Sequence, residues 1–254
     1  MEVQTGIFAA PLRKLAVGVL QQGPVPQHVA FIMDGNRRYA QKRGQETKEG
    51  HNSGYNTLSR ILDFCYQVGI HEVTVYAFSL ENFRRPTAEV EALMEIARTR
   101  LRQICDRGDL VERYGIRINF IGDLSLLPED VQETCRYVAD FSRKNTHSIL
   151  NICMPYTARD DIAHSIRTIA KNKVNSNEID ESTIRDHMYT AGSRPLDLLI
   201  RTSDTNRFSD FLLWETESRR TQRGTHIVFS KSLWPEYSVF ELFWTLVKWS
   251  YSAE

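Results

Sequence analysis

Three groups of residues that can bind phosphate follow short apolar runs of the chain. The first group is Asp34, Gly35, Asn36, Arg37 and Arg38. An aspartate here can hold Mg²⁺ together with phosphate oxygens of a substrate. The glycine lets a ligand approach the backbone, N–H groups at a helix start favour a diphosphate, and arginines donate paired hydrogen bonds to it. Read alone, Asp-Gly-Asn is explained equally well as a turn.

The second group, at the end of the apolar run 72–79, comprises Ser79, Asn82, Phe83 and Arg85. Polar and cationic side chains again collect just before a predicted helix. Ser79 by itself is also typical of a capping residue. Capping accounts less well for Asn82 together with Arg85.

The third group is Arg201, Arg207 and Ser209, which can converge on a second anionic group. Surface arginines are usually only solvated, but Arg201 directly follows the apolar residues 198–200. Three phosphate-binding groups and one carboxylate predict a site for two diphosphates and one Mg²⁺, with Asp34 as the metal ligand.

Other chemistries have little support in this sequence. No GxGxxG follows a predicted strand, so a dinucleotide site is not expected. His51 follows Gly50 and can enter the pocket, although a lone histidine is more often structural. The cysteines (Cys65, Cys105, Cys135 and Cys153) are widely spaced, which favours reduced thiols over disulfides or zinc.

The elements that must position these groups alternate between strands and helices. Six runs rich in β-branched residues predict strands at 29–34, 72–79, 116–123, 148–156, 197–203 and 225–230. Apolar stripes predict helices over 90–105, 128–143 and 159–173, and polar composition predicts loops at 42–48, 173–178 and 215–224. This alternation predicts a single α/β domain with a central, mostly parallel six-stranded sheet flanked by helices. Ligands of such sheets bind beyond the carboxyl ends of the strands.

Composition is that of a globular protein with no marked charge. The 254 residues are 41% hydrophobic, and 32 basic side chains balance 32 acidic ones. Zero net charge argues against a nucleic-acid partner, which usually requires a basic excess. No apolar run is long enough to span a bilayer. Pro11, Arg13 and Lys14 interrupt the apolar start, so a signal peptide is not expected either.

The two ends of the chain have distinct patterns. Residues 7–20 predict a weakly amphipathic helix, and two interpretations are open: peripheral contact with a membrane, or packing on the domain. We therefore separate an N-terminal helical segment, 1–24, from the domain, 25–254.

Residues 240–249 are apolar on nearly every helical face, which predicts burial in the core or against another subunit. Their position favours a subunit interface.

The motifs closely resemble those of the cis-prenyltransferases, which include undecaprenyl and dehydrodolichyl diphosphate synthases. The resemblance runs from His28 to Tyr237 and rests on these stretches: HVAFIMDGNRRYA, GH at 50–51, YAFS, ENF, DLLIRTS, RFSDFLLW and LWPEY. NRRY and ENF resemble the eukaryotic branch, and no DDxxD motif of trans-prenyltransferases is present.

The resemblance implies a role for each group. Asp34 is expected to hold Mg²⁺ and assist diphosphate departure. Gly35, Asn36, Arg37, Arg38 and Arg85 are expected to bind an allylic diphosphate, such as farnesyl diphosphate. Arg201, Arg207 and Ser209 are expected to bind isopentenyl diphosphate. His51, Ser79, Asn82 and Phe83 are expected beside the reacting carbons, with the first three counted as catalytic together with Asp34.

The product implied is a Z-polyprenyl diphosphate, a dolichol precursor for protein glycosylation, which grows in a hydrophobic tunnel. The implied location is the cytosolic face of the endoplasmic reticulum membrane or the cytoplasm. A short-chain or terpene-cyclising enzyme of the same fold is an alternative. A non-catalytic partner subunit is another, which Asp34 and Asn82 argue against. An unrelated phosphate-binding α/β protein is the remaining one.

The chain departs from the family pattern at four places. Asp204-Thr205 stands where Gly-Glu is usual, Thr47 replaces an arginine, and the 215–224 loop is longer. The last residues before Glu254 do not contain the Arg-x-Gly motif that ends single-subunit members. This pattern resembles the catalytic subunit of the two-component eukaryotic enzyme, so we expect a dimer, with a dissimilar subunit supplying that motif. A shortened chain is the competing explanation.

Overall fold

A six-stranded parallel sheet forms the centre of the molecule. The computed structural model describes residues 10–106, 109–217 and 224–252. The strands lie in the order β3-β4-β2-β1-β5-β6, and all five pairings are parallel. They are β1 (His28–Ile32), β2 (Glu72–Tyr76), β3 (Ile116–Ile121), β4 (Ser148–Cys153), β5 (Leu198–Arg201) and β6 (His226–Phe229). Each overlaps one predicted strand, so the predicted fold class is confirmed.

Helices cover both faces of this sheet. Those within the described residues are α1 (Ala10–Leu20), α2 (Asn36–Lys42), α3 (Thr47–Val68), α4 (Thr87–Asp106), α5 (Asp109–Arg113), α6 (Glu129–Ser142), α7 (Ala158–Lys171), α8 (Glu181–Asp186), α9 (Leu213–Glu217) and α10 (Val239–Ser252). The helices predicted at 90–105, 128–143 and 159–173 correspond to α4, α6 and α7, and those predicted at 7–20 and 240–249 correspond to α1 and α10. The long helix α3 was not predicted.

The core has two parts because alternate side chains of a strand point to opposite faces. Val29 and Phe31 of β1 pack on one face with α3, α4, α6 and α10, whereas Ala30 and Ile32 pack on the other with Tyr156 and Phe211. All five residues of β1 are buried. Burial on both faces explains why the strands read as continuous apolar runs.

The position of β1 between β2 and β5 brings the three predicted binding groups together. Phe31 of β1 is in register with Val75 of β2 and with Ile200 of β5. The chain therefore leaves these three strands at the same edge of the sheet. The groups that begin at Asp34, Ser79 and Arg201 meet there, as expected for a ligand site in an open α/β sheet.

The predicted solvated loop at 215–224 is wrong at its start. Glu215 lies in α9 and is only 7% exposed. Its Oε1 accepts a hydrogen bond from the Thr190 hydroxyl, 2.5 Å away. The charge density of the segment suggested full exposure, but the apolar residues just before it anchor the helix in the core. Residues 218–223 lie outside the described part.

The two chain ends pack against each other. Ala16 and Leu20 of α1 are buried where this helix contacts α3 and α10; residues 7–9 of the predicted helix lie outside the described part. In α10, Leu242 is buried and Trp244 is 48% exposed, so this helix is only partly covered. Among the described residues, no helix is both long and apolar enough to cross a bilayer.

Candidate active site

A cavity of about 1590 Å³ opens at the carboxyl ends of β1, β2 and β5. All but one of the predicted site residues line it: Asp34, Gly35, Asn36, Arg37, Arg38, His51, Ser79, Asn82, Arg85, Arg201, Arg207 and Ser209. Phe83 does not. Its ring packs edge-on against Phe78, 5.0 Å between centroids, and its side chain is 36% exposed.

Asp34 and Arg201 form the centre of the polar part of this cavity. Arg201, the last residue of β5, is 3% exposed, and its Nη2 lies 2.9 Å from Oδ2 of Asp34. Thr202 fixes the aspartate backbone by donating its hydroxyl to the Asp34 carbonyl at 2.7 Å and accepting from the Asp34 N–H at 3.1 Å. The carboxylate is therefore held at a defined position.

Asp34 is kept ionised by its neighbours. Burial favours the neutral carboxyl, but hydrogen bonds from Arg201 and Ser203 and the charges of Arg201 and Arg38 outweigh that effect. They hold the pKa of Asp34 below its ordinary value. A carboxylate that accepts charged hydrogen bonds behaves in this way. Near neutral pH the cavity thus presents a negative oxygen among cationic groups.

Arg201 also shapes the segment that carries the rest of the third group. Its Nη1 donates to the hydroxyl of Ser209 at 2.7 Å and to the carbonyl of Arg207 at 2.5 Å. Ser209 has a φ of 49° and Asp210 a φ of 59°, which non-glycine residues adopt at a cost. The buried guanidinium stabilises this turn and leaves the Arg207 side chain exposed at the cavity.

Two residues that the sequence analysis missed organise the other arginines. Ser203 accepts hydrogen bonds from Arg38 through both its hydroxyl and its carbonyl. Glu89 lies 2.8 Å from Arg85 and 3.5 Å from Arg37. Glu89 follows Arg85 by four residues, but Arg85 has an extended backbone before α4 begins at Thr87, so helical spacing alone does not predict the pair. Nor does it predict the contact of Glu89 with Arg37.

Close packing of α2 on α3 places the first group. Gly35 precedes α2 with a φ of 112°, and a Cβ there would lie 3.0 Å from Leu233. A Cβ on Gly50 would lie 2.2 Å from the carbonyl oxygen of Asn36. Any larger residue at position 50 would push α3 away from α2. This approach explains why Gly50 precedes the histidine.

Ser79 and Asn82 cap the 3₁₀ helix Leu80–Arg84. The Ser79 hydroxyl accepts from the N–H of Glu81 at 3.2 Å, and the Asn82 side chain accepts from the Ser79 N–H at 3.0 Å. Capping therefore applies to both residues, although the sequence favoured it for Ser79 only. Both still line the cavity, so the cap holds them at its wall.

His51 is a neutral imidazole at the cavity wall. Burial and the charge of Arg85 lower its pKa to about 4, against a smaller opposing effect of Glu89. Within the described structure its Nε2 is buried and makes no hydrogen bond. An uncharged ring nitrogen beside Arg85 and Arg37 is suited to contact a bound substrate rather than to supply a charge.

Away from these polar groups the cavity becomes apolar. It runs between α3 and α4 along the sheet, and its deeper wall is formed by Leu58, Leu62, Leu93, Ala97, Leu101, Ile104, Val111, Ile116, Leu150 and Ile152. The volume exceeds the roughly 300–1,000 Å³ of common small-molecule pockets. The predicted hydrophobic tunnel therefore corresponds to this cavity: charges at its mouth and hydrocarbon groups inside.

The donor set at the mouth fits a magnesium ion shared with phosphate. No cluster of three or more His, Cys, Asp or Glu side chains that could hold a metal occurs in the described residues. Mg²⁺ commonly takes one or two carboxylates and completes its shell with substrate phosphates and water. The ionised Asp34 meets that requirement, whereas an all-protein metal cage is not formed.

The profile of the undecaprenyl diphosphate synthase family matches residues 32–254. The chain belongs to this family, the cis-prenyltransferases. The match spans β1 to α10 and thus the whole cavity.

Two curated relatives of this prenyltransferase are dehydrodolichyl diphosphate synthase complex subunits. The Schizosaccharomyces pombe protein is 43% identical over 94% of this chain and 90% of its own length. The human protein is 40% identical over 91% of this chain and 68% of its own length. The crystal structure of lavandulyl diphosphate synthase from Lavandula x intermedia, in complex with dimethylallyl diphosphate, superposes with a TM-score of 0.82 at 32% identity; the match covers 89% of this chain and 95% of the other.

Asp204, Thr47 and Lys48, at two of the departures from the family pattern, do not line the cavity in the described structure. Asp204 is exposed. Its N–H donates to the carbonyl of Ser230 at 2.8 Å. Thr47 and Lys48 are exposed as well. The extra carboxylate of this prenyltransferase is thus outside the cavity lining, whereas Thr205 does line the cavity.

Replacing the buried histidine tests its charge state. Because the pKa of His51 falls from 6.5 to about 4 on folding, the unfolded chain binds more protons between these pH values. The wild type should therefore lose stability as pH falls through this window, by about 3 kcal/mol relative to His51→Gln. Urea unfolding at a series of pH values measures the difference. His226→Gln, at an exposed site on β6, should follow the wild type; parallel curves for wild type and His51→Gln would refute the neutral imidazole.

Proposed function

We propose that this enzyme condenses isopentenyl diphosphate with an allylic diphosphate, farnesyl diphosphate, to give a Z-polyprenyl diphosphate that serves as a dolichol precursor. The observation that carries the proposal is the ionised Asp34, held between Arg201 and Arg38 at the mouth of a long apolar cavity. Diphosphates suit the mouth and a growing prenyl chain suits the interior. The names of the S. pombe and human relatives support the same activity.

The arginines divide into two groups around Asp34. Arg37 and Arg85 share Glu89 near the start of α4, and Arg38 lies 3.5 Å from Asp34. With Gly35 and Asn36, these three arginines would bind the allylic diphosphate. Arg201, Arg207 and Ser209, which the hydrogen bonds of the Arg201 guanidinium join, would bind isopentenyl diphosphate. Charge-assisted hydrogen bonds of this kind are the strong ones.

The reaction begins with cleavage of the allylic C1–O bond, whose electron pair leaves with the diphosphate. The double bond of isopentenyl diphosphate then forms the new carbon–carbon bond, and loss of a proton restores a double bond in Z geometry. Arg37, Arg38 and Arg85 stabilise the negative charge on the departing diphosphate. His51, Ser79 and Asn82, which line the cavity, would lie near the reacting carbons, whereas Phe83 lies outside it. Mg²⁺, held by Asp34, would add Lewis-acid stabilisation of the diphosphate oxygens.

The cavity interior favours a polyprenyl product over a short one. Its apolar wall reaches Ile116, at the amino end of β3, whereas Asp34 follows the carboxyl end of β1. A short-chain enzyme would use only the part nearest the diphosphates. The lavandulyl diphosphate synthase has the same fold, so the fold alone does not decide product length.

We further propose that this chain acts in a dimer with a dissimilar subunit. On the outer face of α10, Phe240 and Trp244 are about half exposed and their rings contact each other. Burial of each large side chain contributes about 1.5–3 kcal/mol, so a partner covering them would be stabilised. The relatives' names, which describe complex subunits, support an assembly. The partner would supply an Arg-x-Gly arm beside Arg201 and Arg207.

A peripheral contact of this enzyme with the endoplasmic reticulum membrane would place the polyprenyl product at that membrane. Leu12, Leu15 and Val19 form an exposed stripe on α1, opposite its packed residues. Arg13 is paired with Asp63 of α3 at 2.6 Å, which orients the helix. An apolar stripe flanked by basic residues is typical of helices that lie at a membrane surface.

Removal of the central carboxylate tests the activity. With farnesyl and isopentenyl diphosphates and Mg²⁺, turnover of Asp34→Ala and Asp34→Asn should fall by about 100-fold or more, because the transition state loses a principal electrostatic stabiliser. Radiolabel incorporation measures turnover across a magnesium titration. Asp204→Asn, at an exposed carboxylate nearby, is the matched control and should retain activity. Near-normal turnover of both Asp34 variants would show the site assignment to be wrong.

The assembly is tested on α10. Phe240→Glu/Trp244→Glu should abolish association with the partner subunit, because a charged residue cannot be buried there without a counterpart. Light scattering after chromatography of the mixed subunits measures it. Tyr137→Glu/Phe141→Glu changes exposed aromatic residues of α6 instead and should leave association intact. A fully active, monodisperse monomer of the wild type would contradict the proposal.

The membrane contact is tested by flotation with liposomes. Leu12→Ser/Leu15→Ser/Val19→Ser should reduce the bound fraction several-fold, since the apolar contact area is lost. Turnover of short substrates in detergent should be unchanged. Equal flotation of the triple variant and the wild type would exclude α1 as the contact.

A further inference from the structure

Arg100 interrupts the apolar wall of the cavity. The α4 residues that line the cavity are Leu93, Ile96, Ala97, Arg100, Leu101, Gln103 and Ile104. All but Arg100 and Gln103 are apolar, as expected for a surface that contacts hydrocarbon. The guanidinium in this wall is permanently charged, and eleven residues of helix, about 16 Å along the axis, separate it from Glu89, the partner of Arg37 and Arg85.

The guanidinium is held across the cleft between α4 and α3. Its Nη2 donates to Oδ1 of Asn52 on α3 at 2.7 Å, and its Nη1 donates to Oε1 of Gln103 at 2.7 Å. The same group lies over the ring of Tyr55, 4.8 Å from the centroid. Arg100 itself is half-buried. These contacts make a polar bridge between the two helices that enclose the cavity.

The bridge opposes passage of hydrocarbon between α3 and α4. A chain that has filled the cavity can grow further only by leaving through a gap in its wall. A prenyl chain that passed beside Arg100 would break the hydrogen bond from Arg100 to Asn52. The charged guanidinium would then lie against the hydrocarbon of the chain, which is unfavourable. The bridge therefore favours release of the product over another round of elongation.

We propose that Arg100, held by Asn52 across the α3–α4 cleft, limits the length of the prenyl product. The inference rests on the proposed condensation and adds a determinant of product length to it. Arg100 acts on the chain at a distance from the reacting atoms, so the first condensation does not depend on it. Asn52 is the positioning residue, because it holds the guanidinium on the far helix.

Product distributions test the bridge. The full chain, together with its partner subunit where activity requires one, is supplied with farnesyl diphosphate and excess isopentenyl diphosphate, and chain lengths are measured by mass spectrometry. Arg100→Met keeps the volume of the side chain but loses the charge, and Asn52→Ala removes only the acceptor. Both should shift the distribution to longer products by at least one isoprene unit. Asn52→Asp retains an acceptor and should give products no longer than those of the wild type.

Two further measurements separate this role from a purely structural one. The single-turnover rate of the first condensation should change less than twofold in every variant. Arg102→Ala, at an exposed arginine on the same helix, should leave the distribution unchanged. An unchanged or shorter distribution for Arg100→Met and Asn52→Ala, or an equal shift for Arg102→Ala, would overturn the proposal. A wild type that forms no prenyl product would instead refute the proposed function, which keeps the two failures distinct.

Discussion

The buried charge of Arg201 is the constraint on which the site depends. A guanidinium that is 3% exposed is tolerated only if it is paired and hydrogen-bonded. Its partners are the carboxylate of Asp34 and the Arg207–Ser209 segment. The adjacent strands β1 and β5 therefore have to be in the register that brings their ends together. The same guanidinium keeps Asp34 ionised, so one buried charge both orders the turn at positive φ and maintains a carboxylate at the cavity mouth.

The cavity combines two environments that would normally exclude each other. Charged groups gather at its mouth, where the parallel strands end, and the interior is enclosed by α3, α4 and the sheet. A diphosphate with a hydrocarbon tail requires this division, because its head must be paired and its tail must leave water. Arg100 of α4, like Arg60 of α3, is a charged residue in this wall, and its three contacts to Asn52, Gln103 and Tyr55 explain how the charge is accommodated.

Much of the fold and of the site could be predicted from local signals. Apolar runs indicated all six strands, and the polar groups at their ends indicated the phosphate site, because strand ends of a parallel sheet share an edge. Helix α3 was missed, since its first half is polar where it lines the cavity mouth. Burial of Glu215 was missed as well: its partner Thr190 is 25 residues away, and no local pattern indicates such a contact.

The sequence by itself determined the class of chemistry. It has one strand-end carboxylate, several arginines and an alternation of strands and helices, which together indicate a phosphate site on a parallel sheet. Only the tertiary structure decided how these residues are used. It turned Phe83 away from the cavity, made Glu89 the common partner of Arg37 and Arg85, and lowered the pKa of His51. Each of these outcomes depends on burial and on contacts between residues from different elements. Periodicity and spacing along one chain carry no information about either.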